Sequence, residues 1–150
     1  MADAFECAVR LLARREHGAC ELAGKLAQKG FGQVEIDEAI TKCQRLGLQS
    51  DRRFVEALSA VRIRQGCGPL KILQELQAKH IARELIDEIL SQEQDNWLDY
   101  AQAVWDKKFK KQPKLSYIEL QKAQRFLLYR GFPTDIIAKV VKEIGIDVTR

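Results

Sequence analysis

Apolar residues recur along this chain at helical spacing, and nowhere do they alternate as a half-buried strand would. Phe5, Ala8, Leu11 and Leu12 form a first stripe, broken at His17-Gly18. Leu22 and Leu26 mark a second helix, ended by Gly30 after Lys29, where a left-handed C′ residue is expected. Ile36, Ala39, Ile40 and Cys43 mark a third, ended by Gly47. Ser50-Asp51 then reads as the cap of a helix carrying Phe54, Leu58 and Val61, stopped by Gly66. Pro69 suits the first turn of the next helix, whose inner face holds Ile72 and Leu76. Ile81 to Leu90 supply the sixth. A seventh starts near Asn96 with Trp97, Ala101, Val104, Trp105 and Phe109. Ser116 and Glu119 have the form of a capping box, and open a helix through Leu120, Ala123 and Leu127 to Gly131. Thr134 is the expected N-cap of the last helix, Ile136 to Ile144, with Gly145 as its stop. No segment reads as a strand.

These helices repeat with a period near 50. Leu26, Lys29, Phe31, Ile36 and Ile40 are matched by Leu76, Lys79, Ile81, Ile86 and Leu90, and again by Leu127, Arg130, Phe132, Ile137 and Val141. A leucine, a base or amine three residues on and an apolar residue five on recur each time. The pattern predicts an all-α protein of three tandem three-helix, helix-turn-helix-like repeats, at residues 1–49, 50–95 and 96–150, arranged as an elongated curved array. Leu26, Leu76 and Leu127 are the expected core equivalents.

Composition narrows the chemistry. The chain has 150 residues, 46% hydrophobic and 31% charged, enough for a packed interior and too apolar for general disorder. No stretch approaches a membrane span and the N-terminus has no secretory pattern, so a cytoplasmic, monomeric protein is expected. Cys7, Cys20, Cys43 and Cys67 are widely spaced without a CxxC pair; they predict buried small hydrophobes rather than a disulfide frame or a zinc site. His17 and His80 lie on separate repeats, where a cation near a helix C-terminus is the expected role. No phosphate-binding loop, dinucleotide-binding fingerprint or metalloprotease motif is present, so neither catalysis nor a cofactor is expected.

Charge is unevenly distributed. Residues 101–150 hold eleven bases and five acids, and so carry more than the whole net charge of +4. The candidate partner-binding residues are Arg62, Arg64 and Lys71 around the Gly66 turn, then Lys107, Lys108, Lys110, Lys111 and Lys114, then Lys122, Arg125 and Arg130. Such a surface attracts a polyanion or an acidic protein face. Trp97, Trp105 and Phe109 have the spacing of core residues rather than of a base-stacking platform.

Three stretches resemble the RecX family: LLARREHGACELAGKLAQKGF from Leu11 to Phe31, SDRRFVEALSAVRIRQGCGPLKILQEL from Ser50 to Leu76, and RFLLYRGF from Arg125 to Phe132. Their order and spacing extend the likeness over residues 4 to 145. His80 departs from it, standing where the family often has glycine. The resemblance implies a non-enzymatic regulator that binds the filament of the RecA recombinase on single-stranded DNA. It would restrain the filament's ATPase, strand-exchange and co-protease activities. Weak direct DNA contact would accompany this, and a direct DNA-binding helix-turn-helix protein is the alternative.

Overall fold

The computed structural model describes residues 2–110, 114–144 and 147–149, and among these the protein is helical almost throughout. The helices are α1 (Ala4–Arg14), α2 (Ala19–Gln28), α3 (Gln33–Arg45), α4 (Asp51–Arg64), α5 (Pro69–Ala78), α6 (Arg83–Ser91), α7 (Trp97–Phe109), α8 (Tyr117–Tyr129) and α9 (Thr134–Ile144). One expectation is overturned: β1 (Lys114–Ser116) and β2 (Asp147–Thr149) pair in parallel, Leu115 opposite Val148. A three-residue ladder is too short to show alternation in sequence, so its pairing depends on where α8 and α9 place the two segments. Gly145, the expected stop of α9, lies outside the described residues.

Helix ends follow local chemistry. The Asp3 carboxylate caps α1 by accepting from Glu6 N–H at 2.8 Å, and the Ser50 hydroxyl caps α4 by accepting from Arg53 N–H at 3.2 Å. Ser116 and Glu119 form the reciprocal box at the start of α8, each bond 3.1 Å. The Ser116 backbone N–H first, and then its side chain, hold the exposed Glu119 carboxyl below its usual range. Gly18, at the start of α2, has no capping side chain; Asp51 at the start of α4 accepts from Ala19 N–H instead, at 2.8 Å. Thr134 occupies the first turn of α9 rather than its cap, and the Pro133 carbonyl accepts the first bond, from Ile137.

The recurring leucine–base–apolar spacing is a repeated helix stop. Phe31, Ile81 and Phe132 each donate a backbone N–H to the leucine five residues earlier, Leu26, Leu76 and Leu127, at 3.3, 3.2 and 3.1 Å. That is the six-to-one bond of the Schellman motif, which joins the third residue from the helix end to the second beyond it. The residue between must be left-handed: Gly30 and Gly131 have φ of +94° and +97°, and His80 has +61°. The recurring base thus lies beside the last carbonyls of its helix, where positive charge is favoured.

The chain divides into two compact units, Met1–Leu58 with Leu76–Ile89, and Ser59–Glu75 with Leu90–Arg150. In the first, Ala4, Ala8, Leu22, Leu26, Ile36, Ala39 and Cys43 form one apolar cluster. In the second, α7 packs on α8 and α9, and Ala101, Trp105, Ala123, Leu127, Phe132 and Val140 are buried. Leu26, Leu76 and Leu127 are each fully buried, as their equivalence in sequence requires. Trp97 and Trp105 are core residues, and Trp105 lies 5.1 Å from Phe109, ring centre to ring centre. Cys43 and Cys67 are buried as expected, whereas Cys20 is exposed.

His17 corrects a second expectation. It is buried rather than a charged helix end, with Nδ1 3.0 Å from the Arg15 carbonyl and Nε2 2.9 Å from Lys25 Nζ. Burial above all, and then the Arg15 and Lys25 charges, lower its pKa. The neutral ring therefore donates from Nδ1 and accepts the lysine proton at Nε2. The buried Gln49 amide reinforces the corner, donating to the His17 carbonyl and to Asp51.

Glu21 predicts the protein's response to acid. Arg15 donates to both its oxygens, at 3.0 and 2.8 Å, and Lys79 to one at 3.2 Å, which lowers its pKa to about 2. A carboxylate so held stabilises the fold above its ordinary pKa of 4.5, and that contribution is lost as pH falls from there towards 2. The lowered pKa of His17 acts in the same direction, from about 6.5 downward. With allowance for the half-exposed Arg15, Glu21→Gln should cost ~2 kcal/mol at pH 7. It should cost little below pH ~2, when urea midpoints of the two proteins are compared across pH.

Candidate functional site: a basic groove with an apolar floor

The structure gathers four of the predicted basic residues around one groove of the second unit. Arg64 at the end of α4, Lys107 and Lys108 at the end of α7, and Arg130 at the end of α8 form its rim. Its floor is apolar, built by Ile63, Ala103, Val104 and Phe126, and the space holds about 410 Å³. Tyr100 closes one side, its hydroxyl donating to Glu93 at 2.6 Å. That bond, above other causes, raises the Tyr100 pKa.

Helix periodicity assembles this site. Ala103 and Val104 lie four residues before Lys107 and Lys108, and Phe126 four before Arg130, so these three floor residues each share a helix face with a rim cation. The Phe126 ring carries the Lys108 ammonium 5.4 Å and the Arg130 guanidinium 5.2 Å from its centre, and meets the Phe109 ring edge-on at 5.7 Å. Cation–π contacts of this kind contribute about 0.5–1 kcal/mol where exposed. Arg130 also donates to the Gln65 carbonyl at 3.1 Å, which fixes it across the Gly66 turn. No aspartate or glutamate lines the groove among the described residues.

The other predicted residues are placed differently. Arg62 donates through Nε and Nη2 to the two Glu75 oxygens, each at 2.7 Å, and through Nη1 to Gln65. These bonds raise its pKa and neutralise its field, so its role is to tie α4 to α5. Lys71 is exposed, but its backbone is held against Gly131. Lys122 and Arg125 are exposed on α8; Arg125 borders a separate groove with Gln121, Gln124 and Leu128. Lys110 ends α7 in the left-handed conformation, φ +49°, with its side chain exposed. Lys111 lies outside the described residues, and of Lys114 only its backbone place in β1 is described. Sequence reasoning missed the floor because Ile63, Ala103, Val104 and Phe126 look like ordinary inward positions. The signal available was the four-residue offset of Ala103, Val104 and Phe126 from Lys107, Lys108 and Arg130.

Three family models match the chain in succession: the first RecX three-helix domain over residues 4–43, the second over 50–90 and the third over 94–141. Proteins named regulatory protein RecX align over nearly the whole length. That of Legionella pneumophila (strain Corby) is 58% identical over 144 residues, 96% of each chain. The chain belongs to the RecX family. The RecX proteins of Haemophilus influenzae (strain PittEE) and Pseudomonas syringae are 38% and 36% identical, covering 92% and 93% of this chain and 92% and 90% of their own. The crystal structure of RecX from Lactobacillus salivarius has the same fold, with TM-score 0.80 over 94% of both chains at 22% identity. The three RecX domains coincide with α1–α3, α4–α6 and α7–α9, and the groove draws its rim from the second and third. RecX is a family of regulatory proteins, and no helix among the described residues is long and apolar enough to cross a membrane.

Proposed function

We propose that this protein binds the RecA nucleoprotein filament on single-stranded DNA and restrains its ATPase, strand-exchange and co-protease activities, without catalysis of its own. The observation that carries the reading is RecX-family likeness along the whole chain, 58% identity over 96% of it to a regulatory protein RecX. The rim of Arg64, Lys107, Lys108 and Arg130 supports it physically. A filament presents acidic protein surface and DNA phosphate, and positive charge speeds association with either. Repeated modules add contacts along a polymeric partner, so weak individual affinities multiply.

The test is RecA ATPase on single-stranded DNA with this protein added. The parent protein should inhibit. Replacing Arg64, Lys107, Lys108 and Lys110 with glutamate should leave far-ultraviolet circular dichroism unchanged, because the four side chains are exposed. It should raise the concentration for half-inhibition about tenfold, chiefly through slower association, and flatten its salt dependence. Unaltered inhibition by the variant would move the contact surface elsewhere. Binding to bare single strands as tight as to the filament would favour a direct DNA-binding protein.

A further inference from the structure

The groove is more than a patch of charge. Four cations surround about 410 Å³ whose floor is apolar, and no carboxylate among the described residues lines it. Arg62, two residues before Arg64, is by contrast engaged by both Glu75 oxygens. Like charges grouped without a counter-ion repel one another, and the arrangement is relieved when an acidic partner arrives. An apolar floor adds a second requirement, because nothing polar in a partner is rewarded there. A phosphate chain meets the first requirement and not the second. Bases could meet the second by stacking, but Phe126 already carries Lys108 and Arg130 over its ring and Phe109 at its edge. The Tyr100 hydroxyl is likewise tethered to Glu93. The volume suits one or two large aliphatic or aromatic side chains.

From this we infer that the groove takes an acidic peptide segment, which seats an apolar side chain on Ile63, Ala103 and Val104 while its carboxylates meet Arg64, Lys107, Lys108 and Arg130. This deepens the reading above, since the segment would belong to the protein face of the filament partner. The apolar anchor would set affinity and the cations its approach and register.

The inference can be tested with the full-length protein and no RecA. Three fluorescein-labelled probes are titrated by anisotropy: a twelve-residue peptide of glutamates interrupted by two leucines, the same peptide with both leucines changed to serine, and an oligothymidylate of equal charge. The leucine peptide should bind at least ten times more tightly than the serine peptide and than the oligothymidylate. Ala103→Glu, a change at an exposed helical position, should weaken it about tenfold while the thermal transition stays in place. Lys107→Glu with Lys108→Glu should weaken it similarly and lower its salt dependence. Equal binding of the two peptides would reduce the groove to a charged surface. Tighter binding of the oligothymidylate would assign it to nucleic acid. Parent-like binding by Ala103→Glu would show that the floor is not used. A protein that inhibits RecA ATPase yet ignores the leucine peptide would overturn this inference alone. One that binds the peptide without inhibiting would keep the groove's chemistry and remove its assignment to the filament.

Discussion

Gly131→Ala should destabilise the protein by about 3 kcal/mol, whereas Gly30→Ala, at the same point of the first repeat, should cost about 1 kcal/mol. Both glycines are left-handed, with φ of +97° and +94°, so both substitutions carry the strain of a Cβ in that conformation. Their surroundings differ. A Cβ on Gly30 meets nothing within 4 Å, but one on Gly131 falls 2.5 Å from Lys71 Cβ and 2.6 Å from Lys71 N. Gly68 is its counterpart across the joint, since a Cβ there falls 2.5 Å from the Gly131 carbonyl carbon. Two backbone bonds hold the elements so closely: Gly68 N–H donates to the Arg130 carbonyl at 2.7 Å, and Leu70 N–H to the Gly131 carbonyl at 2.9 Å. A methyl group at either glycine must part the two segments and lose these bonds. Urea unfolding of the two alanine variants against the parent measures the contrast, and equal costs would show that the close approach does not constrain the fold. His80→Gly is the converse case. It relieves the same strain at φ +61° on an exposed residue and should stabilise by about 0.5–1 kcal/mol.

Leu26→Ala and Leu127→Ala should each cost about 2–5 kcal/mol, the first within one compact unit and the second within the other. Both leucines are fully buried, and each anchors its Schellman turn by a backbone bond that alanine would keep. The loss is therefore one of apolar burial and of packing around the vacated volume. Neither variant should alter helix content in the absence of denaturant. Tryptophan fluorescence gives a further check. Trp97 and Trp105 both lie in the second unit, so it should follow the loss at Leu127 more directly than that at Leu26. A cost below 1 kcal/mol at either leucine would remove it from the set of core equivalents.

How far the candidate site was legible in the chain follows from the range of each interaction. The crowding of bases between Lys107 and Arg130 is a sequence fact, and so is the spacing that puts Lys107 and Lys108 at one helix end. The partition among those bases is not. Arg62 and Arg64 look alike in sequence, yet Arg62 is bound to Glu75 thirteen residues on, while Arg64 lines the groove. Likewise His17 and His80 read as the same kind of helix terminus. Only the packing of α2 beside His17, with Lys25 at 2.9 Å, makes the first a buried neutral ring.

What the amino-acid order by itself determined is whatever depends on a few neighbouring residues. It sets the helical periodicity, the caps at Asp3, Ser50 and Ser116, the glycine stops and the threefold recurrence of leucine, base and apolar residue. Each of these rests on bonds spanning three to five positions, so local spacing suffices. Tertiary structure alone decided the rest. It lent Asp51 to the start of α2 and pressed Gly68 against Gly131. It paired β1 with β2 across the span that carries α8 and α9, and set Phe126 of α8 beneath Lys108 from the end of α7. Those contacts join positions far apart in the chain. Their energy comes from burial and from charges brought together, neither of which exists until the helices have packed.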